Sequence, residues 1–235
     1  ALGPPHMDEF IWSDPPSRWA FPVAKAGYPL LFGAAFVTLV LALLSLTPLA
    51  LAGLAGTLCI AGFFRDPDRL IPNRPGAVVS PADGRVISVG RTKGDAFLDE
   101  DVTKISIFMS VFNVHVNRIP VEGRVYRIRY QPGTFVAADR AEASMRNEHN
   151  AVFIETGSGR RLCVVQVAGL IARRIICQVQ CDEAVRRGQR FGMICFGSRL
   201  DVYLPPDVIP AVAVGDRVQA GTSLLGSFPD ADAHR

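Results

Sequence analysis

The sequence predicts a mainly β (α+β) protein, a barrel-sandwich-like domain with few short helices preceded by an apolar helical hairpin, and three observations carry that prediction. After residue 76, β-branched and apolar runs are short and separated by Gly, Asp or Pro, the texture of a domain built from many brief strands. Between Ala26 and Phe64 there is no charged residue at all. Two stretches, residues 80–86 and 214–222, resemble the turn-rich hairpins of the flattened barrel-sandwich found in biotinyl and lipoyl carriers.

Residues 1–25 come first, and the opening Ala-Leu-Gly-Pro-Pro-His reads as a vector remnant before a natural start at Met7. Residues 26–64 follow as a membrane-associated hairpin. Thr47-Pro48 splits the run into halves of about 17 residues, each near the lower limit for spanning a bilayer, and proline disfavours a continuous helix there. Arg18 and Lys25 precede the run and Arg65, Arg69 and Arg74 follow it, so the positive-inside tendency places both ends, and the domain beyond, on the cytoplasmic side. Whether the hairpin spans the bilayer or lies in one leaflet is left open by length alone, and a pair of buried core helices is the alternative. Residues 65–76 are a Pro-rich polar linker. In residues 77–235 strands are expected at 78–79, 86–89, 105–108, 125–130, 151–155, 162–167, 174–179 and 202–204, with helix at 139–146 and 182–187, the latter opened by an Asp and closed by Gly188.

Composition excludes several chemistries. Of 25 basic residues only Lys25, Lys93 and Lys104 are lysines, so a cofactor bound through a lysine amine has three places to sit and none after residue 104. A carrier domain needs such a lysine at a hairpin tip, and residues 214–222 lack one. The five cysteines are scattered without paired spacing, which suits reduced thiols in a cytosolic setting and assigns no metal. A net charge of +3 gives no argument for nucleic acid, whereas the arginine fork suits phosphate groups.

Three polar residues stand out against this background. Gly197-Ser198 follows an apolar run and precedes another. His115 lies between apolar positions at the expected end of a strand, ringed by Asn113, Asn117 and Arg118. Asp83 occupies a Pro-Ala-Asp-Gly turn. Each alone has an ordinary structural meaning as a turn former or a packed side chain. Together they supply the hydroxyl, imidazole and carboxylate that a self-activating serine requires.

The segments Phe63-Phe64-Arg65-Asp66-Pro67, Ser80-Pro81-Ala82-Asp83-Gly84, Phe112-Asn113-Val114-His115-Val116-Asn117-Arg118-Ile119-Pro120, Asn147-Glu148-His149-Asn150 and Phe196-Gly197-Ser198 resemble the short, bacterial-type phosphatidylserine decarboxylase proenzymes, from about Phe63 to the end. That resemblance implies a pyruvoyl enzyme. Ser198 Oγ would attack the Gly197 carbonyl to form an ester, and elimination would free Gly197 as a new C-terminus. Hydrolysis of the dehydroalanine left at 198 would give the pyruvoyl group and ammonia. Two chains would arise from one precursor, and a homodimer is expected by the same resemblance. The amine of phosphatidylserine would form a Schiff base with the ketone, lose CO₂ into that electron sink and leave as phosphatidylethanolamine, with His115 the first proton donor to consider. Longer family members carry a second histidine where this chain has Arg118. The base that activates Ser198 is therefore His115 with Asp83 in the first place and His149 in the second, with Arg118 and Asn113 as supporting residues. Two other readings stay open: a membrane-tethered, non-enzymatic barrel-sandwich adaptor, and a pyruvoyl decarboxylase of another serine lipid or amino acid.

Overall fold

Uncharged sequence rich in Leu and Ala forms two helices, α1 (Tyr28–Leu43) and α2 (Thr47–Phe63). Pro29 and Pro48 stand in their first turns, where a missing N–H costs no helical hydrogen bond. Residues 44–46 reverse the chain, with Ser45 in the left-handed region at φ 58°. The Thr38 and Thr57 hydroxyls meet at 3.2 Å across the hairpin, and a side chain at Gly53 would crowd Thr38. At the base, Ala24 N donates to Phe64 O at 2.8 Å and Asp66 N to Pro22 O at 2.9 Å. No residue of α1 and only Phe63 of α2 is buried. Residues Lys25–Leu43 are long and apolar enough to cross a membrane, with a mean hydropathy of 2.0.

The computed structural model describes residues 10–12, 14–17, 21–92, 97, 101–134, 146–169, 174–195 and 198–229. They fall into two compact units, Ser17–Asp68, which holds the hairpin, and Ala1–Pro16 with Arg69–Arg235. The second unit contains β1 (Phe10–Ile11), β2 (Ile71–Pro72), β3 (Ala77–Val79), β4 (Gly84–Thr92), β5 (Val102–Met109), β6 (Val116–Arg118), β7 (Gly123–Gln131), β8 (His149–Glu155), β9 (Arg161–Val167), β10 (Ile175–Cys177), β11 (Ala184–Val185), β12 (Arg190–Ile194), β13 (Ser198–Leu204), β14 (Ile209–Pro210), β15 (Arg217–Val218) and β16 (Leu224–Ser227). The main sheet runs β11-β7-β8-β9-β13-β5-β4-β15, with β10-β12-β6 and β14-β16-β3 as smaller sheets and β1 paired to β2. Among the described residues its strands pair antiparallel. The expected mainly β architecture is what the chain adopts.

Strand alternation sorts the side chains into two buried faces. Along β13, Leu200, Val202 and Leu204 join Ile105, Ile107, Met109, Val152, Ile154, Leu162 and Val164 in the larger core. Tyr203 joins Ala151, Phe153, Cys163, Val165 and Val167 in a second cluster on the reverse. A strand with seven buried residues in a row does not show the polar-out alternation of a surface strand.

One local expectation gives way. Residues 182–187 are not helical: Asp182 adopts φ 67°, and the chain continues into β11. Asp182 N donates to Val125 O and Val125 N to Glu183 O, so pairing with β7 takes the groups a helix would use. The expected helix at 139–146 falls, but for Arg146, outside the described residues. The expected linker at 65–76 contains the boundary between the two units, after Asp68, and its later part belongs to the second unit. Ile71 is wholly buried in β2, and it packs where Gly188 and Gly221 would carry a Cβ. Both glycines have φ 78°, so conformation and space demand glycine together.

Candidate active site

Ser198 is the first residue of β13 and wholly buried. It pairs with Met109 at the end of β5, and its Oγ lies 3.5 Å from Met109 Sδ, a weak acceptor. The Gly-Ser dipeptide therefore does not end in a turn: the serine opens a central strand held by β5 on one side and, from Arg199, by β9 on the other. Gly197 lies outside the described residues.

His115 stands one residue before β6 and is also wholly buried. Its Nδ1 lies 2.9 Å from the Asn113 carbonyl. A carbonyl only accepts, so Nδ1 carries the proton and the neutral ring keeps its lone pair on Nε2. His115 shares a strand face with Asn117, whose Nδ2 reaches Met109 Sδ at 3.8 Å. The histidine and Ser198 thus border the same methionine neighbourhood. His115 O accepts from Ile194 N at 3.4 Å, at the end of β12. The chain leaving β12 for β13 therefore starts beside His115. Asn113 shapes the turn before it, its Oδ1 accepting from Ser110 N at 2.9 Å and Ser110 Oγ at 2.8 Å.

Asp83 lies just before β4, where Gly84 is required because a Cβ would strike the Phe108 carbonyl. Both carboxylate oxygens are engaged: Oδ1 accepts from Ala220 N at 2.7 Å and Oδ2 from Arg69 Nη2 at 2.9 Å. Its turn is tied to β6 by Arg118 N donating to Pro81 O at 2.9 Å. Asp83 therefore belongs to the same end of the sheet as Ser198, but its nearest cation is Arg69. Arg118 is buried, donates to Gly188 O at 2.9 Å and faces Asp14 at 3.8 Å. It braces the turns through these contacts.

His149 occupies a different place. It opens β8 in a row with Val167 of β9 and Arg199 of β13. Its face is that of Arg199, Asp201 and Tyr203, the reverse of the Ser198 face, and Phe97 meets its ring edge-on at 5.4 Å. Its Nδ1 donates to Asn147 O at 2.8 Å, so its tautomer matches that of His115, but the strand pleat directs the ring away from Ser198.

Sequence reasoning missed two groups. Behind Ser198, Gln166 Nε2 donates to Asn117 Oδ1 at 2.9 Å, and Asn150 Nδ2 donates to Gln166 Oε1 at 3.1 Å, all three side chains buried. On the reverse, Arg199 grips Asp201 through both carboxylate oxygens at 2.6 and 3.0 Å, with Lys104 3.5 Å away. The Arg-x-Asp alternation of β13 is the one sequence signal for the second group; a lone Gln in an apolar strand was the faint signal for the first. Burial pushes the Cys195 thiol up, opposed by the Arg174 guanidinium. Among the described residues no cluster of His, Cys, Asp or Glu is arranged to hold a metal.

A buried serine opening an internal strand, with an imidazole and a carboxylate drawn to the same end by two turns, defines a mainly β protein with a serine-centred site. The family model for phosphatidylserine decarboxylase matches residues 57–226, and the chain belongs to that family. It is 51% identical over 208 residues to the phosphatidylserine decarboxylase proenzyme of Geotalea uraniireducens (strain Rf4), covering 88% of this chain and 97% of that one. The proenzymes of Desulfotalea psychrophila and Nitrosomonas eutropha are 46% and 47% identical over 207 and 206 residues, 88% of this chain and 97% and 95% of theirs.

Proposed function

We propose that this chain is a proenzyme that cuts itself between Gly197 and Ser198 and then decarboxylates phosphatidylserine to phosphatidylethanolamine. The observation that carries the reading is the placement of Ser198: wholly buried, at the first position of a doubly paired strand, in a family whose relatives are named proenzymes. The residues present suit a pyruvoyl group. It would arise from Ser198 itself, whose hydroxyl has the Met109 thioether, a weak acceptor, as its partner among the described residues. When formed, that group supplies a ketone that accepts the electrons left by loss of CO₂.

The chain's own residues have separable tasks in this reading. His115 Nε2 takes the Ser198 Oγ proton as the oxygen adds to the Gly197 carbonyl, and its Nδ1–H is anchored to Asn113 O, which keeps the ring oriented. Protonated, the same ring serves as acid at the later step that puts a proton on the decarboxylated carbon. Asp83 holds the 220–223 turn and Arg69 at this end of the sheet, and in this reading its carboxylate would support the imidazolium that develops at His115. Burial excludes water from the nucleophile, favouring attack by Oγ over direct hydrolysis. The uncharged hairpin tethers the enzyme to the membrane that holds its substrate, with the catalytic unit on the cytoplasmic side.

Intact-mass measurement of the purified protein tests the reading. Two fragments divided before residue 198 are expected, the smaller running to Arg235 with its first residue converted to pyruvoyl. Ser198→Ala should give one chain without activity. An uncut wild-type chain that still decarboxylates phosphatidylserine would refute the mechanism.

A further inference from the structure

Ser198 places a hydroxyl on an apolar face. Where β13 meets β5, Ser198 stands opposite Met109, Leu200 opposite Ile107 and Val202 opposite Ile105, and every one of these except Ser198 belongs to the larger core. Residues paired across an antiparallel ladder point to the same side, so the wholly buried serine closes a row of aliphatic side chains. A hydroxyl in such a place needs an acceptor. Among the described residues that acceptor is Met109 Sδ, 3.5 Å from Oγ. The same sulfur faces Asn117 Nδ2 at 3.8 Å, and Asn117 Oδ1 is held by Gln166 Nε2 at 2.9 Å.

Packing alone does not call for methionine here. β5 fills its two preceding core positions on this face with Ile105 and Ile107, and methionine loses more rotamer freedom on burial than isoleucine or leucine does. What the sulfur adds is a soft, weak acceptor. The proposed chemistry at residue 198 gives such an acceptor a use. The Gly197 acyl group passes from Ser198 N to Oγ; elimination removes the Cα proton and breaks the Cβ–Oγ bond, so Oγ departs in the Gly197 carboxylate. Water then displaces the nitrogen as ammonia, and Cβ gains a proton to become a methyl. The group next to Met109 thus changes from CH₂OH to CH₃. An aliphatic residue at 109 would strand the hydroxyl before the cut. An amide or carboxylate would compete for the proton the base must remove and would lose its partner afterwards. A thioether suits both states.

We propose that Met109 is a positioning residue for self-cleavage, its thioether holding the Ser198 hydroxyl in place and then receiving the methyl that remains. The proposal rests on the self-cleavage reading and adds the group that orients its nucleophile. Without the sulfur, the hydroxyl turns toward a neighbouring backbone carbonyl, a stronger acceptor, and leaves the attacking geometry.

The test times fragment formation by intact mass in the full chain, made by cell-free synthesis with phosphatidylcholine vesicles present. Two replacements of methionine's own shape, introduced with a suppressor tRNA, separate acceptor from packing: Met109→selenomethionine keeps a soft acceptor, and Met109→norleucine puts a methylene in place of the sulfur. The selenomethionine chain should cleave within about twofold of wild type and the norleucine chain about tenfold more slowly, the effect of losing one orienting hydrogen bond. Met109→Gln, which brings a strong acceptor, should also slow cleavage about tenfold. In a Ser198→Ala background residue 198 already presents a methyl, and there Met109→norleucine should shift the thermal midpoint by less than about 3 °C. Equal rates for the selenomethionine and norleucine chains, a glutamine chain that cleaves as fast as wild type, or a larger shift of the midpoint overturns the positioning role and leaves self-cleavage standing. A wild-type chain that stays whole overturns the self-cleavage reading, and this role with it.

Discussion

Replacing Gln166 by Leu tests whether the buried amides behind Ser198 act as one unit. Gln166 Nε2 donates to Asn117 Oδ1 at 2.9 Å and approaches Ile176 O at 3.3 Å, while Oε1 accepts from Asn150 Nδ2 at 3.1 Å. Leucine has similar bulk and can make none of these bonds. The Asn117 acceptor and the Asn150 donor are then stranded in the core, at about 1–3 kcal/mol each. Extra apolar burial by leucine returns about 1 kcal/mol, leaving a net loss of about 3 kcal/mol, which is a factor on the order of 100 in an opening equilibrium. Cys163 offers the readout, because it is wholly buried in β9, the strand that carries Gln166. In a Ser198→Ala background, which keeps one chain, its alkylation rate follows the population of the opened state when reclosing outruns labelling. The expectation is a roughly 100-fold faster reaction of Cys163, with the exposed Cys181 unchanged as an internal control. A change below about fivefold would mean that these amides are not mutually dependent, and the account of a network behind the serine would fail.

Three further outcomes follow from the same geometry. His115→Gln should slow self-cleavage at least about 100-fold, the usual worth of a positioned base, while His149→Gln, altering the opposite face, should stay within about threefold; time courses of fragment formation on denaturing gels decide. Gly221→Ala should destabilise the second unit by about 2 kcal/mol or more, because it meets both φ 78° and the Ile71 side chain, and a lowered thermal midpoint would register it. Cys195 should alkylate after Cys181: it is buried and its thiol pKa is raised, so thiolate is scarce until pH climbs past the ordinary thiol range. Arg174→Gln removes the opposing cation and should shift that rise to still higher pH, as read by peptide mass spectrometry against pH.

What was legible in the chain follows from which interactions are local. Pro48 and the absence of charge from Ala26 to Phe64 foretell two helices with a break, and the helices break at residues 44–46. Short β-branched runs foretell strands, and β7, β8 and β9 lie where they do. Residues 182–187 misled because an Asp and a Gly at helix-like spacing also suit a left-handed turn entering a strand. Only pairing with Val125, far away in sequence, selects between the two. The place of Ile71 was not legible for the same reason: its pocket is built by Gly188 and Gly221, more than a hundred residues on.

The site was legible as a list of groups and not as an arrangement. Imidazoles at 115 and 149 each follow an Asn by two residues and each bond that Asn's carbonyl, so local chemistry does not distinguish them. The pleat does. His149 shares a row with Arg199, one residue from Ser198, and that single step turns it to the reverse face.

The position of Ser198 also suits the proposed self-cleavage, because the two pieces would stay together. Residues after the proposed cut do not form a separate piece: β13 lies inside the main sheet between β5 and β9, β15 pairs with β4, and β16 pairs with β3. The seven residues of β13 are all buried, with Leu200, Val202 and Leu204 in the main core. Three buried aliphatic side chains, at about 1.5–3 kcal/mol each, with ladders on both sides of β13, hold the new fragment without a peptide bond. On the other side of the cut, β12 is paired to β6 and β10 in a different sheet. Breaking the bond at 197–198 therefore separates two ends that are anchored independently. The end at position 198 stays in β13, at the buried start of the strand, where the reactive group would form.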